Sequence, residues 1–186
     1  MKSLRVGLIA DTHMPGTVAR LWPQVHAAFD GVACILHAGD LHVTDVIDEL
    51  ETIAPTYVSS GNGDAGVEHH RLKETWTGLL AGVPVGIVHR LPTPARASSE
   101  RLQEKLHRTF ASFDPRVVVY GHTHFAQLHH VDGRIYVNPG SATLPNNQST
   151  RLGTLGLMEI GQGRISIEIF QLHEHGRDRI GYLSIE

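Results

Sequence analysis

Five short apolar runs in this chain all end in residues that can bind a ligand. Residues 4–10 (LRVGLIA) lead into Asp11-Thr12-His13, and residues 32–38 (VACILHA) into Gly39-Asp40. Residues 56–60 (TYVSS) lead into Gly61-Asn62-Gly63-Asp64, a run through Val88 into His89, and residues 117–120 (VVVY) into Gly121-His122-Thr123-His124. Apolar, β-branched runs of this length, bounded by glycine and polar clusters, read as buried strands. Helical patterns separate the first three. In residues 17–31, Leu21, Val25, Ala28 and Phe29 form an apolar stripe that Gly31 ends. Pro23 either kinks that helix or, if it starts near Trp22, sits in its first turn. Thr44 is placed to cap DVIDELETI. Strand, helix, strand, helix, strand argues for parallel strands joined by right-handed crossovers. In open α/β sheets, ligands bind beyond the carboxyl ends of the strands. The polar endings are therefore expected to converge.

The middle and last thirds change character. Residues 75–89 hold two strand-like runs joined at Ala81-Gly82-Val83, residues 90–99 form a Pro- and Ser-rich loop, and residues 100–113 form a helix with Leu102, Leu106 and Phe110 on one stripe. AQLHHV-DG-RIYVNPG reads as a hairpin with an Asp-Gly turn. GTLGLMEI-GQG-RISIEIFQLH reads as another, alternating through Ile165, Ile167 and Ile169. The last third is thus expected to be antiparallel, and HEHGRDRIGYLSIE gives no clear interface signal. No repeat or linker breaks the 186 residues, which read as one domain, 1–186.

Composition narrows the function classes. A net charge of -3 argues against a polyanion partner and gives no nucleic-acid surface. Cys34 is the single cysteine, so a reducing, cytoplasmic compartment is expected. Met1-Lys2-Ser3 leads straight into a strand-like run, and no stretch approaches the ~20 apolar residues of a membrane helix, so neither leader nor membrane is expected.

Histidine is unusually common, with 14 against 16 Lys and Arg together. It is the commonest metal ligand. His26, His107, His129, His130, His173 and His175 lie away from the strand ends and are read as chemically silent. At the strand ends, Asp11, His13, Asp40, Asn62, His89, His122 and His124 offer two carboxylates, several imidazoles and one amide. Each alone has a structural reading: a helix cap, or a Gly-Asp or Asn-Gly turn. Together they form a mixed O/N set suited to Mn²⁺, Fe²⁺, Zn²⁺ or Co²⁺. The spacings Asp-x-His and His-x-His put both side chains on one face if the backbone stays extended. Seven donors suit two metals sharing a carboxylate, an arrangement used for in-line displacement at phosphorus with the ions ~3.5–4 Å apart.

DTH (11–13), GD (39–40), GN (61–62), His89 and GHTH (121–124), in that order and spacing, resemble the calcineurin-like metallophosphoesterases. NPGS (138–141) and the short length resemble their small bacterial and archaeal phosphodiesterase branch, the YfcE-like family. The resemblance covers almost the whole chain. It implies an α/β fold, a four-layer α/β/β/α sandwich of two mixed β-sheets flanked by helices, with the metals at the upper edge. It implies a first metal on Asp11, His13, Asp40 and His124 and a second on Asn62, His89, His122 and Asp40, which bridges. Two divalent ions per chain follow, Mn²⁺ first, with Zn²⁺, Fe²⁺, Ni²⁺ or Co²⁺ as alternatives. The implied reaction is hydrolysis of a P–O bond in a small phosphodiester or nucleotide-like substrate, by in-line attack of a metal-bridging hydroxide. Asp40, Asn62 and His122 are the implied catalytic residues, joined by Arg90 and Asp64 as further candidates.

The chain departs from the family pattern at two places. Gly63 stands where a histidine often protonates the leaving oxygen; His42, His69 and His70 are candidate substitutes. His89-Arg90-Leu91 replaces the usual His-Gly-His. Arg90 either clamps a phosphate oxygen or is a solvated loop residue. Asp64 either orients a ligand or closes a turn. For Ser141 the choices are a turn and a substrate-side role. Other functions stay open: a non-catalytic protein-interaction scaffold of the same fold, like the retromer subunit Vps29, or a phosphatase acting on monoesters or proteins. A homo-oligomer through the β-rich C-terminal edge is also open.

Overall fold

Two β-sheets of six and five strands face each other, with helices on both outer sides, in a computed structural model that describes residues 3–186. In chain order the first elements are β1 (Leu4–Ile9), α1 (Pro23–Phe29), β2 (Cys34–His37), α2 (Asp45–Glu51), β3 (Thr56–Val58), β4 (Thr75–Leu80) and β5 (Val83–Val88). There follow α3 (Ser99–Phe110), β6 (Val117–Val119), β7 (Ala126–Val131), β8 (Arg134–Pro139), β9 (Thr154–Gly161), β10 (Arg164–His173) and β11 (Gly176–Ile185). The larger sheet runs β11-β10-β9-β1-β2-β3 and the smaller β4-β5-β6-β8-β7.

Side-chain alternation explains the layering. Val117 and Val119 of β6 point into the inter-sheet core with Val6, Leu8, Leu36, Val85 and Ile87. Val118, between them, points the other way and packs with Leu102, Leu106 and Phe110 of α3. All three valines are therefore buried, because both faces of the strand are covered. On the opposite side Ile9, Ile35 and Val58 meet Val25 and Phe29 of α1 and Ile47 and Leu50 of α2. Burying one such side chain contributes about 1.5–3 kcal/mol. These three apolar layers make the four-layer α/β/β/α sandwich of two mixed sheets.

Local expectations hold with exceptions. β1, β2 and β3 are parallel, as the alternation predicts. The turns at Ala81-Gly82 and Asp132-Gly133 join antiparallel pairs and carry positive φ at both residues. Helix α1 starts only at Pro23, with Trp22 extended before it; a residue preceding proline is pushed out of the helical region, so 17–21 cannot join. Thr44 occupies the cap position of α2 but has helical backbone angles, and its side chain makes no capping bond. The last third is not wholly antiparallel, because β8 pairs parallel to β6. HEHGRDRIGYLSIE turns back and adds β11 to the edge of the larger sheet. Among the described residues no helix is long and apolar enough to cross a membrane.

Candidate metal centre

Backbone bonds lace the loops after β1 and β2 together beyond the strands themselves. Asp11 N donates to Gly39 O at 2.9 Å, His13 N to Asp40 O at 2.9 Å and Met14 N to Leu41 O at 3.0 Å. From the other sheet, Gly121 N donates to His89 O at 3.0 Å, and His122 N donates to both Asp11 carboxylate oxygens at 3.0 Å. The carboxyl ends of β1, β2, β5 and β6 thus meet at one edge. A Cβ on Gly121 would lie 2.8 Å from Asp11 Oδ2, so only glycine lets this loop approach the carboxylate.

The convergence does not arise from strand alternation. Asp11, His13, Asp40, His122 and His124 all have positive φ, between 47° and 73°. The candidate ligand pairs are therefore aimed by left-handed turns, which cost a non-glycine residue about 1–3 kcal/mol each and persist where surrounding structure enforces them. The extended reading of Asp-x-His and His-x-His is corrected on this point.

Three sets of side-chain atoms gather within 4.8 Å: Asp11, His13 and His124; Asp40, His89 and His122; and His13, Asp40 and His42. Asp40 faces both main sets. Its Oδ2 lies 3.4 Å from His13 Nε2, and its Oδ1 lies 3.4 Å from His89 Nε2. His13 Nε2 and His124 Nε2 face each other at 3.0 Å. Asn62 is exposed, on a single 3₁₀ turn (Asn62–Asp64) between two glycines that pack against the Asp40 carboxylate. Arg90 is exposed, yet its charge is close enough to help burial depress the pKa of His122.

The protonation pattern suits a cation. His89 Nδ1–H donates to Ala38 O at 2.7 Å, and His124 Nδ1–H donates to Leu144 O at 2.8 Å. Each then turns the lone pair of its Nε2 to the cluster, as metal-ligating histidines do. His89 Nε2 is buried and has no hydrogen-bond partner. Burial lowers His13 to about 4, which keeps its ring neutral. Burial pushes Asp11 up to about 8, so it needs a cation nearby to stay ionised at neutral pH. Burial also raises Asp40, but His89, the Gly63 N–H and His13 outweigh it and hold this carboxyl well below the usual carboxylate range. Burial disfavours a charged His89, but Asp40 and Asp11 outweigh it and raise its pKa, so a proton there does what a cation would do. The donor set, the orphaned His89 nitrogen and the lowered pKa values of His13, His122 and His124 fit divalent metal ions.

Around these groups lies a polar frame that the sequence left partly unread. Asp64 is buried, and its two oxygens accept from Asp40 N, Leu41 N, His42 N and Gly61 N at 2.7–2.9 Å. Asp64 therefore orients a ligand loop in addition to closing a turn. Ser141 is fully buried; its Oγ donates to Asp11 O at 2.7 Å and accepts from Leu144 N at 2.8 Å. That removes the substrate-side role considered for it. Thr143 Oγ1 donates to Thr12 O at 2.7 Å, and Asn138 Nδ2 donates to Gly121 O at 2.8 Å. His37 was missed altogether. It is buried, accepts from Gly39 N through Nδ1 at 3.1 Å and meets Thr12 Oγ1 through Nε2 at 3.2 Å. A histidine in an otherwise apolar strand, three residues before Asp40, was the available signal.

The three candidate substitutes for the absent side chain at Gly63 separate cleanly. A Cβ built on Gly63 would lie 2.2 Å from His42 Nε2, so the His42 ring fills the space beside that glycine. Its ring also packs edge-on to His13, centroids 4.4 Å apart. His69 and His70 instead pack on each other, 4.5 Å apart, outside the ligand sets.

Comparison with known proteins agrees with this geometry. Residues 4–163 match the family profile of the calcineurin-like phosphoesterase superfamily domain. A "probable metallophosphoesterase" from Methanothermobacter thermautotrophicus is 33% identical over 142 residues, 75% of this chain and 78% of that protein. Vacuolar protein sorting 29 from Cryptosporidium parvum superposes with a TM-score of 0.80 at 18% identity, covering 98% of each chain. Vps29 from Entamoeba histolytica, solved in complex with Zn²⁺, gives 0.76 at 22% identity over 97% of this chain and 99% of that one. At these identities the two structural likenesses speak for the fold.

Proposed function

The chain belongs to the calcineurin-like phosphoesterase superfamily, and we propose that it is a phosphodiesterase that works with two divalent cations, Mn²⁺ before Zn²⁺, Fe²⁺, Ni²⁺ or Co²⁺. The observation that carries this reading is Asp40, whose two oxygens face two separate groups of imidazoles. In this reading Asp11, His13, Asp40 and His124 hold one ion, and Asp40, Asn62, His89 and His122 hold the other. Bound there, the ions supply Lewis-acid activation of the attacking water and neutralise charge developing on the phosphate.

The remaining work falls to the chain's own side chains. Carbonyls fix the His89 and His124 rings, so their orientation needs no rearrangement when substrate arrives. Asp64 fixes the loop that carries Asp40. In this reading Arg90, whose charge is felt at His122, would pair with a non-bridging phosphate oxygen. His42 offers a hydrogen-bond donor on the Gly63 side, where the leaving oxygen departs. A diester is favoured over a monoester because it carries less charge, and Arg90 and Arg96 do not make a large basic pocket around the candidate ligands. The single buried thiol, Cys34, fits the reducing cytoplasm.

The fold shared with Vps29 favours a second reading, a protein-interaction scaffold that has kept the ligands. One assay separates the two. Protein stripped with chelator is given Mn²⁺ and bis-p-nitrophenyl phosphate, alongside His122→Ala and Asp40→Asn. Hydrolysis that returns with metal in the wild type and fails in both variants is the expected result. No turnover with any of the five metals, despite measured metal binding, rejects the enzyme reading in favour of the scaffold.

A further inference from the structure

Beside His122 the surface opens into a cavity of about 830 Å³, walled by the loop before α3 and by the start of β7. Its lining holds no Asp or Glu and includes Arg96, Phe125, Gln127, Leu128 and His129. Arg96 makes no ion pair among the described residues. Phe125 directly follows the ligand His124, and 51% of it is exposed. Gln127 Oε1 accepts from Tyr120 O–H at 2.8 Å, which commits the amide oxygen and leaves its NH₂ free to donate.

We propose that this cavity receives the nucleoside half of the substrate, so that the diester cleaved at the His122 side is a nucleoside phosphodiester. The assignment rests on the phosphodiesterase reading above and gives that site its substrate class. Three features support it. The volume matches cavities that enclose a drug-sized ligand. An exposed phenylalanine beside the chemistry offers a flat face for a base, and stacking accepts any base. The Gln127 NH₂ and Arg96 are donors, matching the acceptor-rich edges of bases and sugars, and the absence of carboxylates admits a ligand that carries a phosphate. His129, which lies away from the strand ends, joins Arg96, Gln127 and His122 as a fourth nitrogen-bearing side chain on an anion-tolerant wall. In the reaction, water adds its oxygen to phosphorus and the bond to the other ester oxygen breaks. The products are a nucleoside monophosphate and an alcohol that carries away the proton.

The test uses two esters with the same leaving group, thymidine 5′-(p-nitrophenyl phosphate) and methyl p-nitrophenyl phosphate, with Mn²⁺-loaded protein. Phe125→Ala should lower the ratio of kcat/KM, nucleoside ester over methyl ester, by about tenfold, chiefly through KM. Phe125→Trp should keep the ratio. An unchanged ratio in Phe125→Ala overturns the assignment. Calorimetry with thymidine 5′-monophosphate separates this inference from the one beneath it. If neither ester is hydrolysed but the nucleotide binds, about tenfold more weakly in Phe125→Ala, the cavity assignment stands and the hydrolase reading falls. Nucleotide binding that ignores the substitution overturns the cavity assignment.

Discussion

Asp64 holds Asp40 by the backbone: its Oδ2 accepts the Asp40 N–H at 2.9 Å, and its Oδ1 accepts the next two N–H groups, of Leu41 and His42. Gly61 N completes the set at 2.7 Å. One buried carboxylate therefore ties the loop that carries the bridging candidate to the loop that carries Asn62. Asp64→Asn keeps the size but replaces one acceptor with donors that confront N–H groups. It should lower unfolding stability by about 3 kcal/mol in urea and weaken Mn²⁺ binding in calorimetry. Stability within about 0.5 kcal/mol of wild type would reduce Asp64 to an ordinary turn residue.

Ser141 and Thr143 brace the ligand loop from the other sheet. They donate to the carbonyls of Asp11 and Thr12, and Ser141 also positions Leu144, whose carbonyl orients His124. Ser141→Ala should weaken metal binding by about ten- to a hundredfold. The loss should fall on the ion held by Asp11, His13 and His124. A loss shared equally between two resolvable sites contradicts this assignment.

His37 gives the fold an acid-sensitive element. Burial holds its pKa at about 4, below the ordinary 6.5. The unfolded chain takes up a proton below pH 6.5 while the folded chain does not until about pH 4, so stability falls as the pH drops through this window. The full slope is about 1.4 kcal/mol per pH unit, and because each state titrates gradually the loss between pH 6.5 and 4.5 is about 2 kcal/mol. Denaturation of wild type and His37→Gln at both pH values isolates the effect from other titrating groups. The variant should lose less stability than wild type by about that amount. Equal losses rule out His37 as the cause.

Gly63 and His42 form a pair with one shared space. An added methyl at residue 63 meets the far end of the His42 ring, which can swing away. Gly63→Ala should thus cost less than about 1 kcal/mol in stability, yet lower turnover as much as His42→Ala does. The double variant should be no worse than either single one, because both changes remove the same imidazole. Additive losses would show that Gly63 acts independently of His42.

Much of this was legible in the chain. Strand periodicity and the run of polar endings gave the parallel β1-β2-β3 unit and gathered the ligand candidates, because burial of both strand faces leaves only their ends free for chemistry. The resemblance supplied the second sheet, because the apolar run VVVY by itself names no partner strand. The means of convergence was not legible: positive φ at Asp11, His13 and His122 is imposed by tertiary contacts, and no local pattern announces it. His37, Thr143 and Leu144 were missed for a related reason. Their partners lie far away in sequence, at Thr12 and His124, so only the fold brings them together. Edge strand β11 escaped because it is exposed on one side and mixes polar residues into both faces.

The central claim is that Asp40 bridges two ions, and electron paramagnetic resonance of Mn²⁺-loaded protein tests it without any substrate. Two Mn²⁺ per chain with a spin-coupled, multiline spectrum, collapsing to an uncoupled signal in Asp40→Asn, is the predicted result. A single ion per chain, or two uncoupled ions in the wild type, would contradict it.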